Sequence, residues 1–292
     1  TPESENNTSV AYLGYAATPE LNADAGFYHD VIFLTTTNEN SNTAIFFTQD
    51  GSPPTQNSAS YSNQIYIGTT QVLKLRAFAD SMLPSPILTN SYFINKDSDL
   101  PVVSLSCHDS LLFDTVTGLH VEGPNADSLH PHFGANYWED WTIPVNVEFF
   151  DLSGEQELNL TVDLKIHGGT AARTKTQKPL RLIMRKKYGT HHIDYPIFPN
   201  SSTDDYKRLV LRNSGGDFKH FNFRDGLLHR TMISGGLDID MINFKPSAVY
   251  INGRYWGIMN IREKLDRYYL KYHHGIDENA VDLIEEDSTV IE

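Results

Sequence analysis

Between about residues 14 and 95 the chain is a run of short β-branched and aromatic segments cut at close intervals by turn clusters. This texture leaves little choice of fold. The segments are Val31–Thr35, Ala44–Thr48, Gln64–Ile67, Val72–Phe78 and Asn90–Ile94. The clusters between them lie at Asn38–Asn42, Asp50–Pro54, Gly68–Thr70 and Pro84–Pro86. Strand-forming runs at this spacing, with no helical periodicity, build a small β-sandwich over residues 14–95. The polar opening, Thr1 to Ser9, reads as part of a disordered leader over residues 1–13.

Lys96-Asp-Ser-Asp-Leu-Pro101 is a polar hinge into a second region, 101–292, of different texture. Leu100–Ser106, Val145–Phe150, Leu160–Ile166, Leu180–Met184 and Arg208–Leu211 read as strands. Residues 112–144 are loop-rich and carry an aromatic string at Phe133, Tyr137, Trp138 and Trp141. Phe223–Ile233 has helical spacing, and a second helix is expected over Glu263–His274 with Gly275 as its stop. Asn252-Gly253, flanked by Ala248–Ile251 and Tyr255–Ile258, is the strongest hairpin signal, because such a pair accepts the positive φ of a type I′ turn. Strands with a few helices make this region α+β.

Composition narrows the function. The charge is −14, which disfavours a nucleic-acid binder, and no apolar run approaches the roughly 18 residues of a membrane-spanning helix. The single cysteine, Cys107, excludes a disulfide framework within the chain and a multi-cysteine zinc site. Histidine pairs at 130/132, 191/192 and 273/274 lack metalloprotease spacing and read as solvated, so no metal ligands are assigned. Nothing selects a glycosidase carboxylate pair, and no Gly-x-Ser-x-Gly elbow occurs.

One stretch runs against the acidic background. Residues 165–187 hold 8 of the 23 basic residues and no acidic one. A strand there enters Gly168-Gly169, then a loop containing Arg173, Lys175 and Lys178, then a strand containing Arg181. Glycines let backbone N–H groups approach an anion, and the cations add charge and hydrogen bonds. The stretch is compatible with a phosphate-cradling loop and equally with a solvated basic hairpin; neither standard nucleotide fingerprint is present. Glu263 is placed to orient a loop lysine such as Lys178, or simply to sit in the first turn of a helix. Asp217, Arg224 and Asp225 surround Gly215-Gly216.

Residues 164–263 resemble the N-terminal half of the CotH family of spore-coat and secreted protein kinases. The resemblance rests on Lys165-Ile-His-Gly-Gly169, Gln177-Lys178, Leu180-Arg181, Asp194-Tyr-Pro-Ile-Phe198, Leu209-Val-Leu-Arg-Asn213, Phe223-Arg-Asp225, Val249-Tyr-Ile-Asn-Gly-Arg-Tyr-Trp-Gly257 and Asn260-Ile-Arg-Glu-Lys264. The first region resembles the immunoglobulin-like module of the chitobiase/β-hexosaminidase C-terminal type, through Phe47–Thr55, Leu73–Phe78 and Pro84-Ser85. The fold expected is therefore an all-β immunoglobulin-like sandwich followed by the α+β N-terminal part of an atypical kinase-like domain.

This resemblance implies transfer of the γ-phosphoryl group of ATP, with Mg2+, to serine on surface or secreted proteins. It implies a secreted or cell-surface location, and the first module adds carbohydrate as a partner. Carried over, Lys178, Arg181 and Arg173, with Gly168 and Gly169, contact phosphates, and Glu263 partners a loop lysine. Ala172 and Pro179 stand where relatives usually have serine. The family's catalytic aspartate and Trp-Asp-x-Asp metal-binding stretch match nothing up to Glu292. Residues 101–292 are accordingly expected to be a truncated domain, inactive and without tightly bound ATP–Mg2+ on its own. The alternative is a non-catalytic surface adhesion or structural protein.

Overall fold

Strand alternation in the first region puts two small sheets face to face. In a computed structural model, which describes residues 12–36, 42–199, 201–285 and 289–290, the strands are Gly26–Tyr28 (β1), Ile32–Leu34 (β2), Thr43–Thr48 (β3), Ala59–Ser60 (β4), Ile65–Ile67 (β5), Gln71–Ala79 (β6) and Leu88–Ile94 (β7). They form a five-stranded sheet ordered β1-β7-β6-β3-β4 and a two-stranded sheet of β2 and β5. Leu34, Ile65 and Ile67 of the small sheet share one core with Ile45, Leu73, Leu75, Ala77 and Tyr92 of the large one. The leader expected over 1–13 lies outside the described residues up to residue 11, as does the turn expected at 38–42 up to residue 41.

The second region is also mostly β. Val102–Ser106 (β8), Ile143–Phe150 (β9), Gln156–Ile166 (β10), Leu180–Ile183 (β11), Ile193–Asp194 (β12), Asp205–Tyr206 (β13), Arg208–Arg212 (β14), Phe244–Ile251 (β15) and Arg254–Glu263 (β16) follow in order. Seven of them close into a barrel, β10-β11-β14-β16-β15-β8-β9. The closing contact is parallel, with β8 beside β15 from Val102↔Ala248 to Leu105↔Ile251. Inside lie Val103, Leu105, Val147, Phe149, Leu164, Leu180, Leu182, Leu209, Leu211, Met259 and Ile261. Asn252 and Gly253, at φ 49° and 75°, turn β15 into β16 as the Asn-Gly pair requires.

Among the described residues, four α-helices decorate this frame: Asp109–Phe113 (α1), Thr170–Arg173 (α2), Arg224–Ser234 (α3) and Arg267–His274 (α4). The helix expected from Glu263 begins four residues later. Glu263 stays in β16, paired to Leu209, and Asp266 caps α4 by accepting from the backbone N–H groups of Tyr268 and Tyr269 at 2.9 and 3.2 Å. Gly275, at φ 69°, ends it. None of the helices is long and apolar enough to cross a membrane among the described residues.

The sandwich is packed onto the barrel rather than strung from the polar hinge. Phe93 stacks on Phe27 at 4.6 Å and meets Phe150 and Tyr250 edge-on at 5.3 and 4.9 Å. Beside this apolar plug lies a buried carboxylate. Glu148 accepts from the backbone N–H of Ser91 at 2.8 Å, from the Ser91 hydroxyl, and from Gln156 Nε2 at 2.7 Å. Burial pushes its pKa from 4.5 up to about 7, against the pull of those donors.

A raised carboxyl pKa means that the folded protein holds a proton the unfolded chain has released. Glu148 therefore favours folding most below about pH 4.5, and that advantage fades as pH rises through about 7. The Glu148→Gln variant keeps the hydrogen-bonding shape and has no proton to lose. Its unfolding free energy in urea should gain on the wild type by about 3 kcal/mol between those limits. Parallel pH profiles of the two proteins would show that the carboxyl is not protonated in the fold.

Candidate anion-binding site

Barrel alternation decides which side chains face outward. Leu164 and Ile166 on β10, and Leu180 and Leu182 on β11, point into the core, so Lys165, His167 and Arg181 point away from it. Cross-strand register extends this into transverse rows. Lys165 pairs with Arg181, Arg181 with Val210, and Val210 with Arg262. One step along, Ile183 faces Arg208, and on the other side Arg212 faces Asn260. The outer wall of β10, β11, β14 and β16 is thus crowded with cations.

Three carboxylates hold this crowd together. Asp225, at the start of α3, receives Arg212 and Arg262 at 2.8 Å each. Asp266 receives Arg208 at 2.8 Å and lies 3.8 Å from Lys264. Asp163 takes Arg185 at 3.0 Å and Lys187 at 2.9 Å. The centre of the patch is different. The guanidinium of Arg181 donates to Nδ1 of His167 at 2.7 Å, which requires a neutral imidazole. Burial, then the charges of Arg181, Lys264, Arg212 and Arg173, drive His167 down to about 3. Burial and Arg181 likewise lower Lys165 to about 8, although it meets the exposed carboxylate of Asp140.

The 167–179 loop ties this wall to the mouth of the barrel. Gly168, at φ 86°, makes the turn. Its carbonyl accepts from Arg173, which also donates to the Tyr137 carbonyl at 2.7 Å and lies 5.2 Å over the Trp138 ring. Asn213 secures the loop by donating to the carbonyls of Ala172 and Gln177 at 3.2 and 2.5 Å. Lys178 turns the other way from Arg181. Its ammonium sits 4.4 Å from the Tyr137 ring, donates to the Lys175 carbonyl at 3.0 Å, and is held below its usual pKa by burial.

Of the residues singled out in the sequence, Gly168, Gly169 and Arg173 lie together in the loop, with Arg181 on the adjoining wall and Lys178 at the barrel mouth. Glu263 is not brought to Lys178. Its oxygens accept from His273 Nε2 at 2.6 Å and from the Asn243 backbone and side chain at 2.9 and 3.0 Å. The histidines read as solvated are in part engaged: His273 with Glu263, His192 with Asp205 and His274 with Asp240. Of the aromatic string, Tyr137 is core and Trp138 supports Arg173.

Sequence reasoning passed over Lys165, His167, Asn213, Arg208, Arg212 and Arg262. A signal existed for two of them: Arg208-Leu-Val-Leu-Arg212 alternates, so its two arginines share one face. No group of three or more His, Cys, Asp or Glu among the described residues could hold a metal ion.

Asp225 is the pin of the patch, because Arg262 is only 1% exposed and needs its charge answered. Asp225→Asn should cost about 2 kcal/mol, below the full penalty for a buried pair since Asp225 is about one-third exposed. Faster amide exchange across 224–234 should accompany it. Unchanged stability and exchange would mean that α3 is held by packing alone, chiefly of Gly226 on the Phe244 ring, which leaves no room for a Cβ.

No curated protein matches the chain. Residues 23–89, the body of the sandwich, match the family model of the Chitobiase/beta-hexosaminidase C-terminal domain. Residues 164–289, which carry the cationic wall, the loop, α3 and α4, match the family model of the CotH kinase protein.

Proposed function

We propose that the protein is part of a secreted CotH-like kinase and that the cationic wall and the 167–179 loop receive the phosphates of ATP. The observation that carries this reading is the meeting of Arg173, Arg181, Lys165 and neutral His167 within the region that matches the CotH kinase family. Burial and then repulsion by the neighbouring cations lower Lys165 and His167, and a polyanion would relieve the repulsion. Arg181 and Arg173 offer forked donors to phosphate oxygens, and the Gly169 backbone lies open, with nothing near a would-be Cβ. Bound Mg2+ would supply further charge neutralisation; its ligands are not assigned to the described residues.

In this reading the chain's own residues bind and orient. Asp225 and Asp266 hold the peripheral arginines, and Arg173, Arg181 and Lys165 stand at the centre, where a γ-phosphoryl group would be presented to a serine hydroxyl of a surface protein. Phosphoryl transfer depends chiefly on such positioning and charge. The separation of Lys178 from Glu263 favours a second reading, a surface adhesion protein that keeps the fold without catalysis.

Nucleotide titration separates the two. In the complete protein that bears this region, ATP–Mg2+ affinity should fall at least about tenfold in Lys178→Ala and in Arg181→Ala, the equivalent of about 1.4 kcal/mol. The 292-residue chain alone should bind ATP–Mg2+ weakly. Affinity indifferent to both substitutions would remove the phosphate assignment and leave the adhesion reading.

A further inference from the structure

The sandwich and the barrel do not close on each other along their whole contact. Past the Phe93 plug and the Glu148 cluster, the interface opens into a cleft of about 560 Å³. That is a size that takes one small molecule. Its floor contains a buried cation. Lys74, on the barrel-facing side of β6, is 6% exposed, and its ammonium makes one long bond, 3.4 Å, to the Ser106 carbonyl. An ammonium has three donors, so Lys74 keeps capacity for a ligand.

Glu148 does not use that capacity, since its bonds go to Ser91 and Gln156. Two further polar atoms of the cleft are buried without a hydrogen-bond partner among the described residues: the hydroxyl of Ser106, a residue 1% exposed, and Oδ1 of Asn146. Buried polar atoms are normally bonded, and each one left over costs roughly 1–3 kcal/mol. Pro53, Ile87, Leu111 and Pro144 supply apolar walls.

We propose that this cleft binds a small hydroxy-carboxylic acid of monosaccharide size. The carboxylate would take the Lys74 ammonium and the Ser106 hydroxyl, both donors. A ligand hydroxyl would donate to Asn146 Oδ1, which can only accept. The ring or chain carbons would lie against the prolines. Each leftover group thereby finds a partner of the right polarity, and a neutral sugar or a bare carboxylate satisfies only part of the set. The site lies on strands β6, β8 and β9, apart from the cationic wall, and stands whether or not the phosphate reading holds.

Calorimetric titration of the whole protein with sodium D-glucuronate tests this, with D-glucose and acetate as probes lacking the carboxylate and the hydroxyls respectively. Saturable binding of glucuronate is expected, with neither control saturating. Affinity should drop at least about tenfold in Lys74→Met and about threefold to tenfold in Ser106→Ala. A circular-dichroism melt of each variant establishes that it is folded, and Ser106→Ala, which retains the carbonyl that Lys74 uses, serves if Lys74→Met is not. Lack of saturable glucuronate binding to the wild type overturns the proposal. So does glucose binding as tightly as glucuronate, or undiminished affinity in the folded variants.

Discussion

Parallel pairing of β8 with β15 is the contact on which the rest of the molecule depends. It joins residues about 145 apart in the chain, Val102 to Ala248 and Leu105 to Ile251, and so turns an open sheet into a closed barrel. Closure removes exposed edges and fixes, strand by strand, which residues face in. A one-residue slip in β10 or β11 would send Lys165 and Arg181 into the core and Leu164 and Leu180 out. The buried leucines thus specify where the cations stand as firmly as any polar contact does.

Once the cations are placed, their repulsion has to be managed, and it is managed unevenly. At the rim, Asp225, Asp266 and Asp163 each bind two or more cationic side chains within 4 Å. At the centre Arg181 donates to a neutral imidazole, which contributes a lone pair and no charge. The crowding of Lys165, Arg173 and Arg181, in a chain of net charge −14, concentrates positive potential on this wall.

Local chemistry was legible in the sequence and distant pairing was not. Asn252-Gly253 announces its hairpin because two positive φ values in succession are open to few residue pairs. The alternation of β6 and β9 likewise marks them as strands. Glu263 was misread as a helix opener because helical spacing from 265 onward resembles continuation. Only the pairing to Leu209 and the Asp266 cap show where the strand stops. The basic loop stood out by composition, yet its partners did not. Asn213, His167 and Arg262 acquire meaning through register with strands tens of residues away, and no local pattern encodes register. Histidine pairs looked solvated for the same reason, since the carboxylates that bind them, Asp205, Asp240 and Glu263, come from other elements.

The barrel has two unlike exteriors, and their separation bears on how the two regions of the chain belong together. Strands β10, β11, β14 and β16 turn a cationic wall outward, while β8 and β9 turn outward Ser104, Ser106, Glu148 and Phe150 and receive the sandwich on them. A module joined only by a tether would leave Phe150 and Glu148 exposed to water and would gain nothing from burying them. Here Glu148 is fully enclosed and is bonded by donors from both regions, Ser91 and Gln156. A half-satisfied carboxylate in that position would be costly, so the sandwich must seat in one register for the network to close. The first region therefore acts as a fitted wall of the barrel, and the cleft between them is a product of that fit.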